Sequence, residues 1–114
     1  MTTAALQSSA RMLYKIADYD GVKALGKEYP EQFGSDPDLL IVLGNAFLKT
    51  RDVETAFGIF DAARALAPGK PAPLERLIAL CRPTRKPDLA KELLAEHARR
   101  FPNRENFRKN AQVR

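Results

Sequence analysis

The 114-residue chain has no tryptophan, one cysteine, one histidine and only six glycines. Each shortage excludes something. A lone Cys81 cannot close an internal disulfide, so a disulfide framework is excluded and the cytoplasm is the default compartment. Cys81 and His97 alone cannot make a zinc site, and no metal or other cofactor is expected. No Ser/His/Asp or paired-carboxylate set stands at a recognisable catalytic spacing, so His97 reads as a packing residue and the chain as a non-enzyme. No apolar run approaches the ~20 residues of a transmembrane helix. The opening "MTTAALQSSARM" lacks a charged region followed by an apolar one, so no signal peptide is expected. Scarce glycine, with Leu, Ala, Lys, Arg and Glu dominant, favours helix.

Charge is unevenly spread. Residues 1–81 carry 9 Lys+Arg against 10 Asp+Glu, net −1, and residues 82–114 carry 10 against 4, net +6. The basic run is Arg99, Arg100, Arg104, Arg108, Lys109 and Arg114. A solvated helix face, an acidic protein partner and nucleic acid all fit such a run. Nucleic acid is the weaker of these, because the nearby aromatics Phe101 and Phe107 have core roles. "GVKALGKE" (Gly21–Glu28) comes within one residue of a phosphate-binding loop, but Glu28 replaces the required hydroxyl. It also follows a helix rather than a strand, so it reads as ordinary helix.

What is present is a period. Shifted by 34 residues, the chain aligns Leu6, Leu40 and Leu74; Leu13, Phe47 and Cys81; Val22, Ala56 and Ala90; and Leu25, Ile59 and Leu93. Apolar residues within 39–50 and 53–67 recur at helical spacing, and Asp52 between them is a natural N-cap. Two amphipathic helices joined by so short a link lie antiparallel. Gly44, which costs about 1 kcal/mol against Ala inside a helix, is then explained by close approach to the second helix at Ala56, with Phe47 and Phe60 filling the space around it. Pro68-Gly69 stops the hairpin.

These residues resemble the tetratricopeptide repeat, a helix–turn–helix unit of about 34 residues. The middle copy, 37–70, carries Leu40, Leu43, Gly44, Phe47, Ala56, Phe60, Ala63 and Pro68 at the family's signature places. The first copy, 3–36, keeps "ADYDGVKAL" but departs at Ser9, Gly26 and Pro30. The third, 71–104, keeps Leu74, Leu77, Ala90, Leu94 and Pro102, with Ile78 in the glycine's place and Pro83 shortening its first helix. The implied fold is all-α: one domain over 1–114, with hairpins at 3–17/19–29, 39–50/53–67 and 72–82/87–101. A seventh helix over 104–112, N-capped by Asn103, would cap a short right-handed α-solenoid with Phe107 and Ala111 facing in.

The resemblance implies a protein-interaction module, an adaptor or small chaperone, holding a partner peptide or amphipathic helix in a concave groove lined by the first helix of each hairpin. The groove residues are Gln7, Arg11 and Tyr14, then Ile41, Asn45, Leu48 and Lys49, then Glu75, Arg76 and Ala79. An apolar centre with cationic flanks suits an acidic partner. Of the family's clamp for chaperone carboxylates only Arg76 matches, since Gln7, Arg11 and Val42 replace the other expected residues. A regulatory segment of a larger enzyme is a further alternative.

Overall fold

The computed structural model describes residues 1–112, and its regular structure is entirely helical: α1 (Thr3–Lys15), α2 (Tyr19–Glu28), α3 (Pro30–Gly34), α4 (Pro37–Lys49), α5 (Val53–Leu66), α6 (Pro71–Cys81), α7 (Pro87–Arg100) and α8 (Glu105–Gln112). Most of the starts have a local cause. Thr2, Asp18, Asp36 and Asp52 cap α1, α2, α4 and α5 with side-chain oxygens that accept from free backbone N–H groups. Pro30, Pro37, Pro71 and Pro87 sit in the first turn of α3, α4, α6 and α7, where a missing N–H costs nothing.

The turns inside the hairpins repeat in atomic detail. Ala17, Arg51 and Arg85 are the non-glycine residues with positive φ (65°, 66° and 56°), and they stand 34 residues apart. Around each, the same two hydrogen bonds close a Schellman motif. The outer bond runs from Asp18 N to Leu13 O (2.8 Å), Asp52 N to Phe47 O (2.9 Å) and Lys86 N to Cys81 O (2.8 Å). The inner one runs from Ala17 to Tyr14, Arg51 to Leu48 and Arg85 to Arg82.

Packing fills the aligned columns. Leu6, Leu40 and Leu74 are 0, 6 and 1% exposed, and Ala10, Gly44 and Ile78 are all buried. α4 packs against α5 and also touches α1, α2 and α3; α5 passes the core on to α6, and α6 to α7 and α8. The larger core holds Ala56, Phe60, Leu74, Leu77, Ile78 and Leu93; a smaller one holds Leu6, Ala10, Phe33 and Leu39.

Three expectations change. Gly44 makes room for the Phe60 ring rather than for Ala56: a Cβ there would lie 2.7 Å from two ring carbons. The eighth helix is α3. Pro30 ends the second helix of the first hairpin early, and a new turn starts at once, because Phe33 must reach the core, where it is 2% exposed. The last helix begins at Glu105, so Asn103 lies in the turn before it and is not its N-cap. Phe107 and Ala111 pack against the larger core.

Candidate functional site

The predicted groove residues lie on α1, α4 and α6 and divide by what they touch. Ile41 and Leu48 are half-buried and lean on the larger core. Asn45, between them on the same face of α4, is half-buried, and its amide makes no hydrogen bond among the described residues. Arg11 and Lys49 are exposed and have no ion pair among the described residues. Tyr14 is partly covered by Tyr19, edge-on at 5.3 Å between ring centroids. Gln7 is not free: its amide donates to Asp36 Oδ2 at 2.6 Å. Arg76 turns toward α5, with its guanidinium carbon 5.7 Å from the Phe60 ring centroid. Glu75 is taken from the groove by Arg104 and His97, and of the third unit's residues Ala79 continues the line of Arg11 and Asn45 by the 34-residue period. The free part of the surface is therefore Arg11, Ile41, Asn45, Leu48 and Lys49.

The basic run is largely spent inside the molecule. Arg104 donates through Nε and Nη2 to the Glu75 carboxylate, the latter at 2.8 Å to Oε1. Arg100 donates to Glu96 at 3.1 Å, and Glu96 also takes Arg64 at 3.2 Å. Lys109 lies 3.7 Å from Glu105. Arg108 is half-buried and donates to the Phe101 carbonyl at 2.8 Å and the Pro102 carbonyl at 3.2 Å, closing the end of α7. Arg99 is exposed and unpaired among the described residues, and Arg114 lies outside them.

These contacts surround His97, which is fully enclosed. Arg108 Nη1 is 3.0 Å from His97 Nδ1, and Glu75 Oε2 is 2.8 Å from Nε2. A guanidinium only donates, so Nδ1 accepts and Nε2–H donates to Glu75. Phe101 and Phe107 tilt against the ring at 5.5 and 5.0 Å between centroids. The Arg104 hydrogen bonds hold the Glu75 carboxyl below the usual carboxylate range; burial opposes this, and the His97 bond adds to it. Both imidazole nitrogens are thus occupied and the ring is sealed, so it has no path to a substrate proton. The cluster works as a clasp that ties α6, α7 and α8 together.

Sequence reasoning placed His97 inward but missed its carboxylate. A signal existed: Gln7–Asp36 and Glu75–Arg104 are the same pair of positions, 29 residues apart, one in the first unit and one in the third. Cys81 is 2% exposed, and burial pushes its thiol up, which makes it a small apolar group rather than a nucleophile. Among the described residues no group of His, Cys, Asp and Glu is placed to hold a metal ion. No helix among them is long and apolar enough to cross a membrane. No protein-family model matches the chain, and no curated protein matches it.

Proposed function

We propose that the chain is a non-enzymatic protein-interaction module, a short α-solenoid of the tetratricopeptide kind, which holds a partner segment along the exposed face of α1 and α4. The 34-residue recurrence of the turn hydrogen bonds supports the repeat reading. The observation that carries the function is Asn45. It is a half-buried amide without a hydrogen-bonding partner among the described residues, flanked one turn away on either side by the half-buried Ile41 and Leu48. An amide in that setting can pair with a partner's backbone while the two apolar side chains take its hydrophobic face. Arg11 and Lys49 supply positive charge nearby and favour acidic segments. A small adaptor or chaperone is the role that fits.

A random peptide library selected on the native protein tests this. Selected peptides should lose about 5- to 30-fold in affinity on Asn45→Ala, the equivalent of about 1–2 kcal/mol for a stranded hydrogen-bonding group. Lys49→Glu, at an exposed cation, should weaken the acidic ones among them further, with the urea midpoint retained. Selected peptides that bind both variants as well as the native protein would overturn the assignment. Nucleic-acid binding through the basic third is disfavoured by the internal pairing of Arg100, Arg104 and Arg108.

A further inference from the structure

A cleft of about 680 Å³ opens between α6, α7 and α8, and none of Arg11, Ile41, Asn45, Leu48 and Lys49 is in its lining. Ile78 and Cys81 of α6, Ala90 and Leu94 of α7, and Phe107 and Ala111 of α8 form its apolar lining. The charged residues of the lining are Arg82 and Arg85, both exposed and neither ion-paired among the described residues. Elsewhere in the C-terminal third the cations are mostly taken: Lys86 by Glu54, Arg100 by Glu96, Arg104 by Glu75. Two unpaired cations therefore stand beside an apolar trough.

We infer that this cleft is a second docking site, and that its occupant is an acidic amphipathic helix of another protein. The shape argues for a helix. Pro87, Ala90 and Leu94 run along one side of α7 for about 10 Å, at 1.5 Å per residue, which matches two turns of a partner helix presenting apolar side chains at i, i+3 or i+4, and i+7. The walls are helices, whose backbone groups are bonded within themselves, so strand addition has no edge to use. The charge argues for acidic flanks on the occupant, because Arg82 and Arg85 have no carboxylate partner among the described residues. It also argues against a second copy. The most exposed large apolar side chains among the described residues, Met12 near the end of α1 and Ile16 just beyond it, stand beside Arg11 and Lys15, and α1 has no acidic residue. Docking that end into the cleft would set cation against cation.

Ala79 at the edge of the cleft stands at Asn45's place in the 34-residue period, but the two linings share no residue, and the test separates them. The probes are synthetic fluorescent helical peptides with Leu at i, i+3, i+7 or i, i+4, i+7, made once with Glu and once with Lys at the flanking positions. Binding is read by anisotropy, and the site by amide shifts in ¹H–¹⁵N spectra. The Glu peptides should bind saturably and perturb Ala90, Leu94, Phe107 and Asn110. The double variant Arg82→Glu/Arg85→Glu should weaken them about tenfold or more, since two charges reverse sign, and should bring in the Lys peptides. Asn45→Ala should leave all of this unchanged. Both arginines are exposed, so the variant keeps its fold, which circular dichroism checks. Equal binding of Glu and Lys peptides, no saturable binding of either, or shifts confined to α1 and α4 would overturn the inference. So would concentration-dependent self-association that the double variant abolishes, because the occupant would then be a second copy.

Discussion

Gly44 and Gly58 form a matched pair that isolates the packing at the centre of the molecule. Both are interior helical glycines, so Ala at either place gains about 1 kcal/mol of helix propensity. They differ in what a new methyl would meet. At Gly58 nothing lies within 4 Å, whereas at Gly44 two Phe60 ring carbons lie at 2.7 Å and a third at 3.1 Å. The Phe60 ring has little freedom to move: it is fully enclosed, with Arg76 over it. Overpacking of this kind costs about 1–3 kcal/mol. Gly58→Ala should therefore be stabilising by up to about 1 kcal/mol, and Gly44→Ala neutral to destabilising by about 2 kcal/mol. Urea denaturation followed by circular dichroism reads both on one scale. The difference between the two variants, about 1–3 kcal/mol, is the quantity that matters, since propensity cancels in it. In a Phe60→Leu background, where the facing ring is gone, the difference should shrink. If Gly44→Ala stabilises as much as Gly58→Ala, the close approach of α4 to Phe60 is not what keeps the glycine.

Two further outcomes follow from local geometry. Arg51 holds φ at 66°, a conformation that glycine adopts at no steric cost, so Arg51→Gly should stabilise by up to about 1 kcal/mol despite the extra freedom it gives the unfolded chain; a lower urea midpoint would refute the Schellman reading of that turn. Glu75 is held below its ordinary value, so its contribution is full above the unfolded value of about 4.3 and is lost as pH falls through the lower folded value. The stability gap between native protein and Glu75→Gln should therefore narrow on going from neutral pH to below pH ~4, and a pH-independent gap would remove Glu75 from the clasp.

The hairpins were legible in the sequence because their causes are local. Asp52, Pro68 and the apolar columns 34 residues apart act over a few residues each, and the helices begin and end within a residue or two of the places they mark. α3 was harder to see, because Pro30 reads as a stop and nothing nearby says that the chain resumes as helix. The reason is Phe33, whose destination in the core is set by α1 and α4 rather than by its sequence neighbours. The groove was legible as a face but not residue by residue. Periodicity put Gln7 and Arg76 on it, and contacts reached across the fold take them elsewhere, to Asp36 and to the Phe60 ring.

The basic C-terminal third shows why charge counted along a sequence misleads when helices far apart in the sequence pack together. Lys70 pairs with Asp38, Lys86 with Glu54 and Arg64 with Glu96, and in each pair the partners stand 32 residues apart, close to the repeat length. Arg104 reaches back 29 residues to Glu75 in the same way. Charge partners therefore come from helices far apart in the sequence, so dividing the chain at residue 81 separates Arg104 and Lys86 from the carboxylates that neutralise them. Exposed pairs of this kind add at most about 1 kcal/mol each, but together they favour one packing of the helices they join. The charge left for a partner is not the net +6 of the segment but the cations that have no carboxylate partner among the described residues. At the apolar cleft those are Arg82 and Arg85, and along the face around Asn45 they are Arg11 and Lys49.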